Sequence, residues 1–305
     1  MNGLTNHVLM VRPYAFMKND QAAVNNYYQS DSNLDANTIN KLAHEEFDRL
    51  ADVLIKAGIK VTIHQDVKVP ETPDSLFPNN WISFHKKSKV VIYPMYAQNR
   101  RDERSDDVFK SLLNDGVKSK IIYDLTSYEN QNLFLEGTGS MVLDRINKKV
   151  YASLSERTHK PVILDFCKKM NYTPFIFSSF QTISGKRLEI YHTNVIISIG
   201  NTFAAVGFDS IDNILERKKI YNELENDGKD IITLSENQIE QFAGNMLLLK
   251  SFNHPVLVMS TSAYKSLSED QINKFEKHAK IVHSDLKTIE KLGGGSARCM
   301  LAEIF

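Results

Sequence analysis

Five segments of the chain carry the apolar spacing of an amphipathic helix, and they recur about every 55 residues. In the first segment, apolar residues from Ile39 to Ala57 fall on one helical face, and Gly58 follows as a stop signal. The other helical faces are predicted at Val108, Leu112 and Leu113, at Ile163, Phe166, Cys167 and Met170, at Ile211, Ile214, Leu215 and Tyr221, and after Ser268. A unit that recurs at this period is typical of a pseudo-symmetric ring or propeller.

Short runs rich in β-branched and aromatic residues lie between the predicted helices. We expect strands at residues 8–11, 90–93, 121–123, 141–143, 195–199, 203–206, 231–234 and 256–259. Two Ser-x-x-Gln capping boxes, beginning at Ser235 and Ser268, mark helix starts. No Pro-, Gly- or Ser-rich linker interrupts this alternation, so the sequence predicts one α/β domain over residues 1–305.

The charge of the chain argues against nucleic acid as a partner. Lys plus Arg and Asp plus Glu both total 37, the formal net charge is zero, and the basic residues form no stripe. No apolar run approaches the ~20 residues needed to span a membrane, and the first residues lack the features of a secretory signal. The two cysteines, Cys167 and Cys299, have no metal-type spacing and indicate a reducing, cytoplasmic compartment. The oligomeric state stays open, a homo-oligomer included.

Cys299 follows a run of three glycines at residues 293–295. Such a run permits backbone conformations that other residues rarely adopt, and its amide N–H groups can face a developing anion. A cysteine placed after it could act as a nucleophile if its thiolate is stabilised nearby. Taken alone, the segment is also that of a flexible loop followed by a buried cysteine, and Cys167, on a helical apolar stripe, is predicted to be core.

Three further polar residues have a chemical interpretation beside a structural one. His192 precedes the apolar run at residues 195–199 and could be a general acid or base, or a structural histidine. Glu136 precedes a Gly-Thr-Gly turn and could orient His192 or cap the turn. Arg157 could bind a substrate carboxylate through two hydrogen bonds, or be solvated at a helix start. None of these three patterns alone indicates a catalytic or binding role.

In combination and in this order, these segments resemble the guanidino-group-modifying superfamily, which includes arginine deiminases, dimethylarginine dimethylaminohydrolases and amidinotransferases. The resemblance covers residues 8–305 and implies the pentein fold, a five-bladed α/β-propeller with pseudo-fivefold repeats. It implies Glu136, His192 and Cys299 as the catalytic set. The ring-shaped fold agrees with the recurrence of the helical segments.

The same resemblance implies the residues that bind substrate. Arg157, within Leu-Ser-Glu-Arg-Thr, is similar to a carboxylate-binding arginine of the family. Asp74 stands where dimethylarginine hydrolases place a carboxylate near the substrate α-amino group, and either Arg100 or Arg101 resembles a second carboxylate-binding arginine. No metal or cofactor is implied, and the sequence has no compact cluster of His, Asp and Glu that suggests one.

Departures from the arginine deiminase pattern bear on the substrate. Asn80, which follows Asn79 in Phe-Pro-Asn-Asn, and Asn194 stand where arginine deiminases have guanidinium-binding aspartates, and Gly139 replaces a further aspartate. Binding a guanidinium away from water without opposing charge is costly, whereas asparagine offers a neutral ureido group both a donor and an acceptor. The sequence therefore predicts a citrulline-type substrate, in agreement with its resemblance to the citrulline-utilisation hydrolase (citrulline ureidase) branch.

The predicted reaction is hydrolysis of the ureido group of citrulline to ornithine, ammonia and carbon dioxide. Cys299 would attack the ureido carbon, His192 would transfer protons, and Asn80, Asn194 or loop amides would stabilise the oxyanion. The partner is then a small amino acid rather than nucleic acid or a membrane. Two alternatives stay open: an arginine or methylarginine hydrolase (deiminase) or amidinotransferase, and a non-catalytic pentein binding protein.

Overall fold

The structure is a computed structural model that describes residues 3–252 and 254–305. Its strands are short. They are β1 (His7–Arg12), β2 (Lys60–Gln65), β3 (Ile82–His85), β4 (Lys89–Ile92), β5 (Lys120–Asp124), β6 (Val142–Asp144), β7 (Lys149–Leu154), β8 (Thr173–Ser178), β9 (Phe180–Ile183), β10 (Lys186–Glu189), β11 (Ile197–Ile199), β12 (Phe203–Val206), β13 (Asp230–Thr233), β14 (Leu247–Leu249), β15 (Val256–Ser260), β16 (Lys280–Ser284) and β17 (Ala302–Glu303).

The helices differ widely in length. They are α1 (Asp20–Ala23), α2 (Ala36–Lys56), α3 (Asp106–Asn114), α4 (Gly137–Ser140), α5 (Lys160–Met170), α6 (Ile214–Asn226), α7 (Glu236–Glu240), α8 (Thr261–Ser266), α9 (Glu269–Glu276) and α10 (Lys287–Gly293). Both capping boxes are confirmed, at the starts of α7 and α9. Among the described residues, no helix combines the length and the apolar character required to cross a membrane.

The strands form five three-stranded sheets that share one pairing order, and a separate hairpin of β9 and β10. The sheets are β17-β1-β2, β3-β4-β5, β6-β7-β8, β11-β12-β13 and β14-β15-β16. In each sheet, the first pair named is antiparallel and the second is parallel. Each parallel pair is connected through one of the predicted helices, α2, α3, α5, α6 or α9, as parallel strands require a crossover. The mixed α/β class is therefore confirmed.

The helical faces follow the sequence pattern closely in α2 and poorly in α6. In α2, Phe47, Leu50 and Leu54 are fully buried, as the apolar spacing predicts. The prediction for α6 is wrong, because Ile214 and Leu215 are 71% and 78% exposed. That helix is buried through Ile220 and Leu224 instead, so its later turns pack against the core while the apolar residues of its first turn face solvent.

Both ends of the chain contribute to one sheet. Strand β17 pairs antiparallel with β1, with Val8 opposite Glu303 and Leu9 opposite Ala302. This pairing fixes the turn before β17, which carries Cys299, against the start of the chain. The edge strands β3, β6, β11 and β14 are preceded by comparable turns, and these turns build the site described next.

Candidate active site

Short turns before the antiparallel edge strands come together at one place in the fold. The turns before β3, β6, β11, β14 and β17 carry Asn80, Gly139, Asn194, Asn245 and Cys299, in that order. Hydrogen bonds join Asn194 and Asn245 to Cys299, and Gly139 lies against Asn80. The site is thus assembled from positions far apart in sequence that occupy similar places in the five sheets.

Cys299 is 3% exposed and has amide donors directed at its sulfur. The Nδ2 atoms of Asn245 and Asn194 lie 3.2 and 3.5 Å from its Sγ. Amide N–H groups bind a thiolate more strongly than a thiol, so these contacts stabilise negative charge on the sulfur. Cys167 lies on the buried face of α5, where burial raises the pKa of its thiol to about 12. Of the two cysteines, Cys299 has the surroundings that a nucleophile requires.

Asn245 is a residue of the site that sequence reasoning missed. Its Nδ2 also donates to the carbonyl of Asn194 at 3.0 Å, and its Oδ1 accepts from the backbone N–H of Arg298 at 3.0 Å. These contacts fix the amide in the orientation that presents its N–H to Cys299. The available signal was positional: like Asn80 and Asn194, Asn245 is an asparagine directly before an apolar strand.

Glu136 and His192 form a buried pair, with Nε2 of His192 2.8 Å from Oε2 of Glu136. Burial lowers the pKa of His192 to about 4, although the hydrogen bond to Glu136 opposes this, so the imidazole is neutral at neutral pH. Burial alone would raise the pKa of Glu136, but Arg157 and the His192 hydrogen bond hold it well below its usual range. The ionised Glu136 accepts a hydrogen bond from the Nε2–H of His192, which leaves Nδ1 of His192 as the basic nitrogen.

The side chains of Asn80 and His192 can approach Gly139 closely only because it has no side chain. A Cβ atom at this position would lie 2.5 Å from Nδ2 of Asn80 and 2.7 Å from Nδ1 of His192. Any larger residue would displace one of these groups. Glycine at position 139 is therefore coupled to the positions of Asn80 and His192.

The structure separates the neighbouring arginines Arg100 and Arg101. Arg100 is 2% exposed, lines the cavity at Cys299, and donates to Oδ1 of Asn80 at 2.8 Å and to Oε1 of Glu103 at 2.7 Å. Burial raises the pKa of Glu103 to about 7, although Arg100 opposes the change. Arg101 is directed elsewhere and donates to the carbonyl of Met95 at 3.1 Å. Arg100 therefore belongs to the site, and Arg101 is not brought to it.

Arg157 is buried, so its solvated interpretation is wrong. Its Nε donates to Oδ1 of Asn25 at 2.8 Å, and its Nη2 donates to the carbonyl of Ala22 at 2.6 Å. Its Nη1 lies 3.5 Å from Oε2 of Glu136, and the guanidinium stacks 4.9 Å from the ring centre of Tyr191. Through these two hydrogen bonds Arg157 fixes the position of the segment that contains Ala22 and Asn25.

Asp74 carries a buried acceptor without a donor. Its Oδ2 accepts from Nδ2 of Asn19 at 2.8 Å and lies 3.7 Å from Nε of Arg100. Within the described part of the chain, its Oδ1 has no hydrogen-bond partner. Burial raises the pKa of Asp74, opposed by Arg100 and by the bond from Asn19. Because buried polar atoms are normally paired, this oxygen is suited to accept from a ligand.

Asn79 and Asn80 are adjacent in sequence but differ in surroundings. Asn80 lines the cavity, whereas Asn79 does not; its Oδ1 accepts from Nδ2 of Asn80 at 3.1 Å. The carbonyl of Asn79 lies against Gly137, whose φ is 46° and where a Cβ atom would approach that oxygen to 2.3 Å. Asn79 thus supports the Asn80 side chain and the turn after Glu136.

The glycine run ends a helix. Gly294 adopts a left-handed conformation, with φ of 60°, and its N–H donates to the carbonyl of Glu290. The carbonyls of Gly293 and Gly294 accept from Asn26, and the Tyr191 hydroxyl donates to Gly294 as well. The Gly294 amide is therefore used within the helix end, whereas Gly293 and Gly295 line the cavity at Cys299.

The cavity at Cys299 has a volume of about 10 Å³, room for at most one water molecule. It is lined by Asn26, Asp74, Phe77, Asn80, Arg100, Arg157, Tyr191, His192, Gly293, Gly295 and Cys299. An amino acid can enter only if the covering residues move. In residues 3–252 and 254–305, no group of three or more His, Cys, Asp or Glu side chains is placed to hold a metal ion.

Replacing Asn245 by alanine is expected to lower kcat by about 10- to 100-fold with little change in KM, because one of the two donors that stabilise charge on Cys299 is lost. Steady-state kinetics on the accepted substrate measure this. Alkylation by iodoacetamide supplies the control: Cys299 should react more slowly, while labelling of Cys167 would report a loosened core. An unchanged kcat would contradict the assigned contact.

Comparisons with known proteins place the chain in context. The family described as "N,N dimethylarginine dimethylhydrolase, eukaryotic" matches residues 12–305. No significant match was found among curated protein sequences.

Solved structures match over nearly the whole chain. The N-terminal domain of ArgZ bound to product, an arginine dihydrolase from the ornithine-ammonia cycle in cyanobacteria, matches with a TM-score of 0.74 and 18% identity, covering 98% of this chain and 97% of that one. The chain spans only 40% of ArgZ in its apo structure, with a TM-score of 0.73. A histidine-to-glycine variant of dimethylarginine dimethylaminohydrolase, an adduct with S-methyl-L-thiocitrulline, matches with a TM-score of 0.64 and 13% identity, covering 99% and 100%.

Proposed function

Because the chain belongs to the dimethylarginine dimethylhydrolase family of the guanidino-modifying pentein superfamily, we propose that it hydrolyses a C–N bond at the terminal carbon of a guanidino amino acid through a covalent bond to Cys299. The observation that carries the proposal is the arrangement around the sulfur, where two amide donors face Cys299 and the His192–Glu136 pair lies beside the same cavity. This is the combination of nucleophile, base and orienting carboxylate used in covalent catalysis.

The reaction proceeds in two halves. His192 takes the proton of the Cys299 thiol, Sγ forms a bond with the terminal carbon, and His192 passes that proton to the amine as the C–N bond breaks. His192 then takes a proton from water, whose oxygen bonds to the same carbon as the C–S bond breaks. Asn194 and Asn245 stabilise the thiolate before attack and after release. Support for a covalent step comes from the ArgZ domain, a variant of which is covalently bound to a reaction intermediate.

Glu136 keeps its negative charge through both halves. The hydrogen bond from Nε2 of His192 to Glu136 stabilises the imidazolium that forms each time His192 takes a proton. With that bond in place, Nδ1 exchanges protons with sulfur, amine and water. Arg157 and Arg100 contribute positive charge, and we infer that one or both bind the substrate α-carboxylate once the residues that line the cavity move apart.

The charges at the site favour a cationic substrate. Asp74 lines the cavity with an unpaired oxygen, and Glu136 and Glu103 are also buried near Arg100. Asp74 and Glu136 match the two guanidinium groups of Arg100 and Arg157, and Glu103, whose pKa burial raises to about 7, adds a partial negative charge at neutral pH. A substrate with one net positive charge therefore balances the site better than a neutral one. This weakens the sequence argument for a neutral substrate, which considered only the aspartates replaced by Asn80, Asn194 and Gly139.

Citrulline hydrolysis is the second candidate, and the amides favour it. Asn80 and Asn194 are both neutral, and each can serve a ureido group as donor and acceptor. Yet Oδ1 of Asn80 is occupied by Arg100, and Nδ2 of Asn194 is directed at Cys299. The ureido interpretation therefore requires both amides to exchange partners on substrate binding.

A substrate panel tests the proposal. Arginine, monomethylarginine, dimethylarginine and citrulline are each incubated with the protein, and ammonia, methylamines, citrulline and ornithine are quantified. Turnover of a guanidino compound that Cys299→Ala abolishes is the expected result. Release of ornithine from citrulline alone would establish the second candidate instead, and no turnover of any member would contradict both.

We also infer that residues 1–305 form one five-bladed propeller domain. The five sheets have the same pairing order, which suits five equivalent blades. Strand β17 contacts β3 of the next sheet, and β11 contacts both β6 and β14, so three of the five successive pairs of sheets are joined by strand contacts. Pairing of β17 with β1 would close the ring by joining the two ends of the chain in one blade.

A further inference from the structure

A second cavity, of about 350 Å³, lies apart from the candidate active site and shares no lining residue with it. We call it the basic cavity, because its charged lining residues are all cations: Lys86, Lys87, Lys89, Lys148, Lys169 and Arg145. Within the described part of the chain, no Asp or Glu side chain lines it. A cavity of this volume is large enough for a small-molecule ligand.

Two hairpin turns of adjacent sheets supply most of the lysines. The turn between β3 and β4 carries Lys86 and Lys87, Lys89 begins β4, and the turn between β6 and β7 carries Lys148. Lys87 and Lys148 have φ of 64° and 56°, in the left-handed region where glycine or asparagine is the ordinary choice. Lysine at both positions costs backbone energy, which is a reason to look for a role of the charge.

The positive charge of the basic cavity is poorly neutralised by the protein. Arg145 and Arg298 share one carboxylate, since both lie 3.4 Å from Oε2 of Glu303. Lys169 has a partner in Asp165 at 2.7 Å. In the residues that the structure describes, the other four lysines of the cavity have no carboxylate within ion-pair distance. One negative charge on the carboxyl group of Phe305 would leave most of this excess in place.

Aromatic rings hold the cations at the cavity wall. The guanidinium of Arg145 lies 4.2 Å from the ring centre of Phe305, and Nζ of Lys148 lies 4.6 Å from that of Tyr172. Burial, together with the nearby Arg145 and Lys86, lowers the pKa of Lys148, as expected where like charges are crowded. Because the cations cover these ring faces, a ligand meets charge here rather than a stacking surface.

We propose that the basic cavity binds a small polyanion with more than one linked phosphate group. Several cations spread around one cavity match a chain of phosphates better than a single phosphate, which two or three cations would satisfy. A nucleoside triphosphate and inorganic triphosphate share this chemistry. The phosphate chain contacts the lysines of the two hairpin turns, with Arg145 at its inner end.

Isothermal titration calorimetry with inorganic triphosphate, ATP and adenosine tests the proposal. Triphosphate is expected to bind, adenosine is not, and affinity should fall as salt is raised. The double variant Lys86→Glu, Lys87→Glu should weaken triphosphate binding at least about tenfold. The matched control Lys41→Glu, Lys56→Glu makes the same charge change on exposed lysines of α2 and should leave binding unchanged.

The calorimetric results distinguish the ligands from one another and include results that would overturn the site. Tighter binding of ATP than of triphosphate would identify a nucleotide as the ligand, and equal binding would identify the phosphate chain alone; both support the site. Absence of triphosphate binding, an equal loss in both double variants, or adenosine binding as tightly as ATP would overturn it. If the Lys86 and Lys87 variant does not melt like the unmodified protein, Lys148→Glu replaces it.

Discussion

Replacement of Cys299 by alanine is expected to reduce kcat by 10⁴-fold or more, on the order of the loss seen when an enzyme loses its covalent nucleophile. The variant cannot form the covalent bond between Sγ and the substrate carbon. No other described residue that lines the cavity carries a sulfur, and the amides of Asn194 and Asn245 are directed at Cys299. The measurement is steady-state turnover of the substrate identified by the panel.

Cys167→Ala is the matched control for this variant. Cys167 is 3% exposed, as is Cys299, but it packs in the core around α5. Its replacement should leave kcat unchanged and lower the free energy of unfolding by about 1 kcal/mol through lost packing. A Cys299→Ala protein that retains both its fold and its turnover would show that the reaction does not pass through this sulfur.

Glu136→Gln is expected to lower kcat by about 10³- to 10⁴-fold, because the neutral amide no longer stabilises the imidazolium form of His192. The change preserves the shape of a fully buried side chain whose Oε1 accepts from the backbone N–H of Tyr96 at 3.0 Å. KM should change less than kcat, since Glu136 does not line the cavity. Steady-state kinetics at neutral pH give both values.

The same variant has a predicted dependence on pH. The pKa of Glu136 is lowered in the folded protein, so its charge stabilises the fold above the unfolded glutamate value, about 4.3, and this contribution is lost as pH falls below it. The unfolding free energies of the wild type and Glu136→Gln should therefore converge in acid. Denaturant unfolding at several pH values measures this.

Glu46→Gln is the control for a buried carboxylate outside the site. Glu46 is 4% exposed in α2 and accepts from the backbone N–H groups of Thr288 and Ile289. Its replacement should lower stability without changing kcat. If Glu46→Gln and Glu136→Gln reduced kcat equally, the effect of Glu136 would be structural rather than chemical.

The elements of the fold were predictable where local sequence decides them. The spacing of Phe47, Leu50 and Leu54 predicts the buried face of α2, and serine with glutamine three residues later predicts the starts of α7 and α9. Strand pairing was not predictable in this way, because β17 and β1 come from opposite ends of the chain. The face of α6 was mispredicted because Ile214 and Leu215 precede the turns that pack.

The site was predictable only where residue types are distinctive. Cysteine after a glycine run, and Glu136 and His192 in their turns, could be identified from the sequence. Asn245 could not be identified in this way, because a single asparagine before an apolar strand is common. Its contact with Cys299 arises only because the turns before the edge strands come together in the fold. The choice between Arg100 and Arg101 likewise required the structure, since adjacent residues point to different sides of a turn.

Acid quenching during turnover, followed by peptide mass spectrometry, tests the central claim most directly. With a guanidino substrate in excess, we expect a mass increase corresponding to the substrate less its leaving amine on the peptide that contains Cys299. Unmodified Cys167 in the same digest is the internal reference. Turnover of the substrate with no adduct on Cys299 at any quench time, and with undiminished activity in Cys299→Ala, would contradict covalent catalysis by this residue.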